Sequence, residues 1–324
     1  MSPEAQTEAQ FDQTLEPYRR GLKVHCYRLM GSLSDAEDLV QETFLRAWRA
    51  QTSFEGRSSF RSWLYRIATH ACLDALEKRP ERSLPQLVAK AAGPGELPSS
   101  PSSEPVWLEP IPDSLLTDEV RGPDARYSAK ESVALAFLAA IQHLPAKQRA
   151  ALLLRDVLGF SADETADLLG TSVGAANSAL QRARDSLEAR RGLGGFGRPL
   201  LPTSDDAEHD LLRRYVQAWE RADTSALVAL LKEDARLAMP PHPTWYEGRE
   251  AVGAFFAAAL FAPGPGSFRA ELTRANGCPA VALWARGPAG FVPIAIQVLE
   301  LEGGQVATID SFLLPALFGS FGLN

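Results

Sequence analysis

Apolar residues recur at spacings of three and four along most of the first 190 positions; near the C-terminus the pattern shifts to alternation. Residues from about 11 to 82 read as helices, with Leu15, Tyr18, Leu22, Val24 and Leu29 in the first. From Ser34 to Trp48 a second helix is predicted, with a cap, acids in its first turn and basic residues near its end. Ala36, Leu39, Val40, Phe44 and Ala47 or Trp48 form its apolar stripe. Between Leu144 and Arg184 the pattern predicts a helix-turn-helix behind a supporting helix. Ser161 caps the first motif helix, with Glu164 completing a capping box, and that helix runs to about Leu169. Gly170 supplies the turn and Ser172 caps the next helix, where Val173, Ala176, Leu180, Ala183 and Leu187 share one face. Helical texture ends near Arg191.

The last third differs. Helices are predicted over Glu208 to Ala222, Thr224 to Leu231 and Glu250 to Leu260. Strands follow over Phe268 to Arg274, Ala280 to Arg286, Val292 to Glu300 and Gln305 to Phe312. Helices followed by an antiparallel sheet make an α+β domain. Between the helical blocks, Ser83 to Lys130 carries Pro85, Pro94, Pro98, Pro101, Pro105, Pro110, Pro112 and Pro123, a composition that predicts an extended, poorly packed linker. Trp107, Leu108 and Ile111 within it need a surface to sit on, either as a local anchor or as a docking motif. The expected organisation is a helical domain over 1–82, the linker over 83–130, the helix-turn-helix domain over 131–194 and the α+β domain over 205–324.

Each helical block has a polar face that suits a partner. On the helix after Ser34, Asp38, Gln41, Glu42 and Arg46 face away from the apolar stripe, and exposed carboxylates suit a basic, helical protein partner better than DNA. The following segment interleaves Phe60, Trp63 and Tyr65 with Arg57, Arg61, Arg66, Lys78, Arg79 and Arg82. A strand held open needs such cations for phosphates and planar groups or a pocket for unstacked bases. Phe60 and Trp63 are expected in the core, leaving the loop Thr52 to Ser59 for base capture. On the last motif helix, Asn177, Ser178, Gln181, Arg182 and Arg184 can donate to phosphates and base edges. By pattern alone, a helical hairpin with a solvated polar face fits equally well.

The runs LPAKQRAALLLRDVLGFSADETADLL and DAEDLVQETFLRAWRA resemble regions four and two of the bacterial extracytoplasmic function sigma factors of the sigma-70 family. The resemblance implies two all-α sigma domains, a region-two helical bundle and a region-four helix-turn-helix that reads the upstream promoter element. It implies docking of Asp35, Asp38, Gln41, Glu42 and Arg46 on the coiled coil of the RNA polymerase β′ subunit, with the β flap as a further polymerase contact. It implies promoter contacts for the basic residues above and for Thr69, His70 and Ser172; Thr69 and His70 stand where family members commonly carry Asn, which leaves the preferred base sequence open. WERADTSALVALLKEDARLAMPPHPTWYEGREAVGAFF resembles the SnoaL-like family, whose α+β fold encloses a cone-shaped pocket. There His242, Trp245, Tyr246, Arg286 and Asp310 are the candidate lining. Alternation puts Asp310 on the face of Phe312, where a carboxylate could have a raised pKa and act as acid or base. In sigma factors with this extension the added domain is thought to replace a separate anti-sigma protein.

Composition limits the alternatives. The net charge of −7 argues against an autonomous DNA binder, which needs a basic footprint; a polymerase subunit tolerates it because the complex supplies the grip. Cys26, Cys72 and Cys278 are isolated, without metal-ligand spacing, and read as buried thiols of a reducing cytoplasm. No cofactor, metal or membrane span is expected, and MSPEAQTEAQ has no signal-peptide character. Two functions compete: a transcription initiation factor modulated by its fused domain, with an unknown small molecule as that domain's candidate ligand, and a DNA-binding protein fused to a working cyclase or hydrolase. The first, not an enzyme, is the expectation, because a fold does not carry chemistry with it.

Overall fold

Segments from opposite sides of the Pro-rich stretch assemble into the first of two units, Met1–Arg82 with Leu115–Gly192; the second joins Ser83–Ser114 to Leu193–Asn324. The computed structural model describes residues 3–54, 56, 59–103, 106–116, 126–128, 131–190 and 204–323.

In the first unit, α1 (Pro3–Met30) packs against α2 (Leu33–Ala50) and α3 (Phe60–Leu76). The cap of α2 is Ser32, two residues before the expected start: its Oγ accepts from the Asp35 N–H at 3.1 Å, satisfying one of the free donors at a helix N-terminus. Ser59 does the same for α3 through the Ser62 N–H at 3.0 Å. Leu33, Ala36, Leu39, Val40, Thr43 and Ala47 turn inward from α2, while Phe44 and Trp48 are half-buried. Phe60 and Trp63 pack edge-on and tilted among Phe11, Tyr18 and Phe54, partly buried as aromatics at helical spacing tend to be.

The helix α4 (Leu135–Gln142) is almost wholly buried, α5 (Ala146–Leu152) buries Arg149 to Leu152, and α5 runs on into a π-helical turn, Leu153–Val157. Buried Arg149 ties them to α1. It donates to the carbonyls of Leu29 (2.6 Å), Gln142 (2.5 Å) and Leu144 (3.2 Å) and to Gln142 Oε1 (2.8 Å). Burial pushes its pKa down to about 10, so the cation persists at neutral pH with carbonyl dipoles in place of a carboxylate. Then α6 (Ala162–Leu169) begins on the Ser161–Glu164 capping box and ends at Gly170, whose φ of +61° only glycine adopts at low cost. The helix α7 (Val173–Glu188) buries Ala176, Ala179, Leu180, Ala183 and Leu187; Val173, assigned to that face by spacing, is exposed in the first turn.

The second unit holds α8 (Asp205–Glu220), α9 (Thr224–Val228), α10 (Arg249–Phe255) and a main sheet of six strands: β1 (Leu231–Ala238), β2 (Trp245–Glu247), β3 (Phe268–Ala275), β4 (Cys278–Gly287), β5 (Gly290–Glu302) and β6 (Gln305–Phe312). Their order is β2-β1-β6-β5-β4-β3. The expected four-stranded antiparallel sheet is therefore the larger part of a mixed one, because β1 runs parallel to β6. The helices α9 and α10 approach so closely that a Cβ on Gly253 would stand 2.6 Å from Val228 Cγ2.

The Pro-rich stretch differs most from expectation. Residues 83–114 are packed as part of the second unit rather than extended and free. The Ala92 N–H donates to the Trp245 carbonyl (2.8 Å), and Trp245 Nε1 returns a bond to the Ala89 carbonyl (2.9 Å). Tyr246 Oη donates to the Glu96 carbonyl at 2.7 Å. Farther along, Ile111 and Asn276 exchange bonds: the Ile111 N–H reaches Asn276 Oδ1 at 3.1 Å and the Asn276 N–H reaches the Ile111 carbonyl at 3.0 Å. Trp107, Leu108 and Ile111 are buried, each large apolar side chain gaining about 1.5–3 kcal/mol. A proline-rich segment has few backbone donors to satisfy and little unfolded-state entropy to lose, so a modest set of anchors orders it.

Candidate protein and nucleic-acid interfaces

The five residues expected to dock on a protein partner divide into two sets. Asp38 and Gln41 are exposed on α2. Asp35 is instead drawn to Arg79 and to Arg82, the latter at 2.9 Å, and Glu42 to Arg46 at 2.7 Å. Arg46 also reaches Asp74 at 2.9 Å, and these two carboxylates raise its pKa. Leu45, seven residues after Asp38 on the same face, is 52% exposed. The pattern hid it, since an exposed leucine is only informative once the helix's inner face is known.

The promoter residues assigned to α3 also divide. Arg57 lies outside the described residues. Arg66 and Lys78 are exposed, and Arg79 is exposed but held by Asp35. Thr69 is fully buried, its Oγ1 2.9 Å from His25 Nε2, so it is a packing residue and not a reader of bases. Burial, reinforced by the Arg28 and Arg61 charges, pushes His25 down to about 3 and keeps it neutral. Arg61 is partly buried: its guanidinium lies 4.8 Å from the centre of the Tyr65 ring and 4.6 Å from that of Phe160, in cation–π geometry. His70 is half-buried and borders Gly170, with Cε1 3.9 Å from where a Cβ would lie. Between α3 and α6, a cleft of about 440 Å³ is lined by Ser59, Ser62, Trp63, Arg66, Glu164, Asp167 and Leu168. Two acids of the helix-turn-helix thus share that cleft with Arg66.

On α7, Asn177, Ser178, Gln181 and Arg182 are exposed. Gln181 Nε2 donates to Asp185 Oδ1 at 2.8 Å. Ser172 is the helix cap, its Oγ accepting from the Ala175 N–H at 3.2 Å. Arg184 turns inward and grips buried Asp156 through two bonds, Nε to Oδ2 at 2.9 Å and Nη2 to Oδ1 at 2.6 Å. The bidentate pair fixes the side chain on a buried carboxylate and uses two of its donors.

The second unit encloses a cavity of about 170 Å³ between sheet and helices. Its wall includes Trp219, Phe255, Phe256, Leu283, Gln297 and Ser311. Of the five expected lining residues only His242 is there. Trp245 and Tyr246 hold the Pro-rich segment instead. Arg286 is exposed, lies over the Phe291 ring and donates to the Gly266 carbonyl at 2.8 Å. Asp310 does share a face with Phe312, but it is Ser311 on the other face that borders the cavity. Burial, followed by the Glu300 charge, pushes Asp310 up to about 7, opposed by a hydrogen bond from Gln86. Gln297 and Ser311, which line the cavity along with His242, carry no charge and gave no sequence signal.

The first unit thus combines a helical module bearing exposed carboxylates with a helix-turn-helix module, and the second is an α+β domain. Models of the Sigma-70 region 2, the Sigma-70 region 4 and the SnoaL-like domain match residues 14–81, 134–187 and 212–309. The ECF RNA polymerase sigma factor SigG of Mycobacterium tuberculosis is 45% identical over 327 residues, covering 99% of this chain and 86% of the relative. SigJ of the same organism is 28% identical over 314 residues, covering 94% and 91%. The crystal structure of SigJ shares the fold, with a TM-score of 0.58 at 22% identity over 96% of this chain and 99% of that one. The chain belongs to the extracytoplasmic function RNA polymerase sigma factors of the sigma-70 family, and it carries a C-terminal SnoaL-like domain. Among the described residues no helix is long and apolar enough to cross a membrane.

Proposed function

We propose that this sigma factor binds core RNA polymerase through the Asp38–Gln41–Leu45 face of α2, with the β′ coiled coil as its partner and the β flap receiving the helix-turn-helix domain. Promoter DNA is read by the exposed face of α7, Asn177, Ser178, Gln181 and Arg182, and by Arg66 and Lys78 of the first helical block. The SnoaL-like domain regulates and does not catalyse. The observation that carries this reading is the membership of residues 83–114 in the C-terminal unit: the chain that joins the two sigma domains is held by the third domain. Any state of that domain that loosens the segment lengthens the tether between the promoter-reading modules and shifts their distribution of arrangements. Against catalysis stands the cavity itself, whose wall lacks a carboxylate while Asp310 belongs to the opposite face.

Run-off transcription with purified core polymerase, comparing the full chain with a chain ending at Arg191, tests the regulatory reading. Removal of the domain leaves the segment without its anchors, and transcription from a cognate promoter should change, with a rise expected if the domain stabilises an inactive arrangement. Equal transcription by the two proteins overturns it.

A further inference from the structure

Asp310 is a buried acid that the functional reading leaves unused. It lies on the sheet face turned away from the cavity, and the interdomain segment, residues 83–114, reaches it there. Gln86, in the helical turn Pro85–Val88, donates a hydrogen bond to its carboxyl group. Two further oxygens of this pair, Asp310 Oδ1 and Gln86 Oε1, are buried and have no hydrogen-bond partner. An ionised carboxylate only accepts, so it takes the Gln86 N–H and leaves Oε1 without a donor. A protonated carboxyl carries the donor that Oε1 lacks. Acid and amide can then close a two-bond ring by a turn about the terminal torsion of Gln86, which is broad and soft.

The surroundings disfavour the ionised form. From β5, Glu300 faces the same side, its Oε2 accepting from Thr308 Oγ1 at 3.1 Å, and its charge opposes a second one beside it. From β1, Arg236 shares that side through its pairing with Thr308, but it is turned to Glu247 of β2 at 3.1 Å. From β4 the Cys278 thiol faces it, pushed up to about 12 by burial and so uncharged. Asp113 of the segment accepts from the Gly277 N–H at 2.7 Å and pairs with Arg274 of β3 at 3.4 Å. The C-terminal turn Pro315–Phe321, packed on β5, brings no charge.

We propose that Asp310 and Gln86 form a proton-operated latch for the interdomain segment: protonated, the pair closes and holds the segment on the sheet; ionised, it opens and the segment is released more readily. Docking that buries Asp310 takes up a proton, so by linkage docking weakens as that proton is lost. The docked pKa of about 7 lies above the ordinary 3.8, so the latch is at full strength below about pH 4 and fails as pH rises through about 7. The latch stands on these contacts; it rests on the regulatory reading only for its consequence in transcription.

The test uses the full-length chain and hydrogen exchange, with each rate divided by the chemical exchange rate at the same pH. The Leu87 and Ala89 amides, bonded to the Leu84 and Pro85 carbonyls, report on the segment, since so short a turn does not persist undocked. Amides of β4 report on the whole domain. Between about pH 5.5 and about pH 8.5, protection of the two segment amides should fall about tenfold. Asp310→Asn, whose amide N–H replaces the acid O–H, should keep them protected throughout. Gln86→Glu sets a second carboxylate against the first and should move the midpoint of the loss up by about one pH unit, with docking retained in acid. Segment amides indifferent to pH overturn the proposal, whatever β4 does. So does a pH response that survives in Asp310→Asn, which would assign it to another group such as His242, or an unmoved midpoint in Gln86→Glu. Run-off transcription separates the latch from the regulatory reading. A working latch with equal transcription by full and truncated chains sinks regulation and leaves the latch; unequal transcription with a pH-indifferent segment does the reverse.

Discussion

Arg184 of α7 clamps Asp156 of the π-helical turn with two hydrogen bonds, and Asp156 is only 2% exposed. The Asp156 carbonyl also accepts from the N–H groups of Arg126 and Tyr127, so one residue gathers three parts of the helix-turn-helix domain. Arg184→Ala should leave a buried carboxylate without its main partner and cost about 2–3 kcal/mol in urea unfolding. Arg182→Ala, two residues earlier and exposed, should leave stability within about 0.5 kcal/mol. It should instead cost about 1–3 kcal/mol of promoter affinity and relax one base position if the contact is to a base edge. Equal stability losses in the two variants would refute the division of roles.

Polymerase docking is separable from folding. Asp38→Arg with Leu45→Ala changes two exposed side chains and leaves the buried face of α2 untouched. A like charge at a contact can cost several kcal/mol. Core polymerase should no longer retain the variant in a pull-down, with the circular dichroism spectrum unchanged. Retention equal to that of the parent would remove α2 from the interface.

Asp310 gives stability a pH dependence of known sign. Burial lifts its pKa from 3.8 to about 7. The folded state therefore holds a proton that the unfolded state releases, and folding is favoured most below about pH 4 and progressively less as pH rises through about 7. Asp310→Asn removes this slope while keeping the shape of the side chain. The difference in urea midpoint between variant and parent should grow in the variant's favour between acid and neutral pH; a constant difference would show that Asp310 does not titrate in that window.

Attachment of the interdomain segment depends on the reciprocal Ile111–Asn276 bonds. Asn276 has φ of +55°, so Asn276→Gly keeps the backbone turn and removes the side-chain amide with its acceptor for Ile111. The buried Ile111 N–H then loses its partner at a cost of about 1–3 kcal/mol. Limited proteolysis should cut the variant within 83–114 faster than the parent. Unchanged cutting would mean that other anchors suffice.

Local periodicity determined much of this protein. The helix-turn-helix, with its Ser161 capping box, Gly170 turn and Ser172 cap, follows from residues no more than four apart and formed as its sequence predicts. The four long C-terminal strands were legible from alternation, whereas β1 and β2 were not: the pattern ended a helix at Leu231 and predicted no strand before Phe268, and β1 is defined by its pairing with β6. Cys26 and Cys72 read as isolated in sequence, yet their thiols interact across α1 and α3, and burial with Cys26 nearby raises Cys72 well above the usual thiol range. Charge identity told which residues could meet DNA or polymerase; only tertiary structure decided which were free to. Arg61 went to two aromatic rings, Thr69 to His25 and Arg184 to Asp156, since packing claims a polar side chain whenever a partner is near enough to repay its desolvation. The Pro-rich stretch shows the same limit from the other side: its composition spoke for extension, and the second unit bound it because the acceptors and donors of Trp245, Tyr246 and Asn276, distant in sequence, meet it at hydrogen-bonding distance. Alternation correctly put Asp310 on the face of Phe312, but which face of a sheet a domain chooses to cover with helices is settled by long-range packing, and here it chose the face of Ser311.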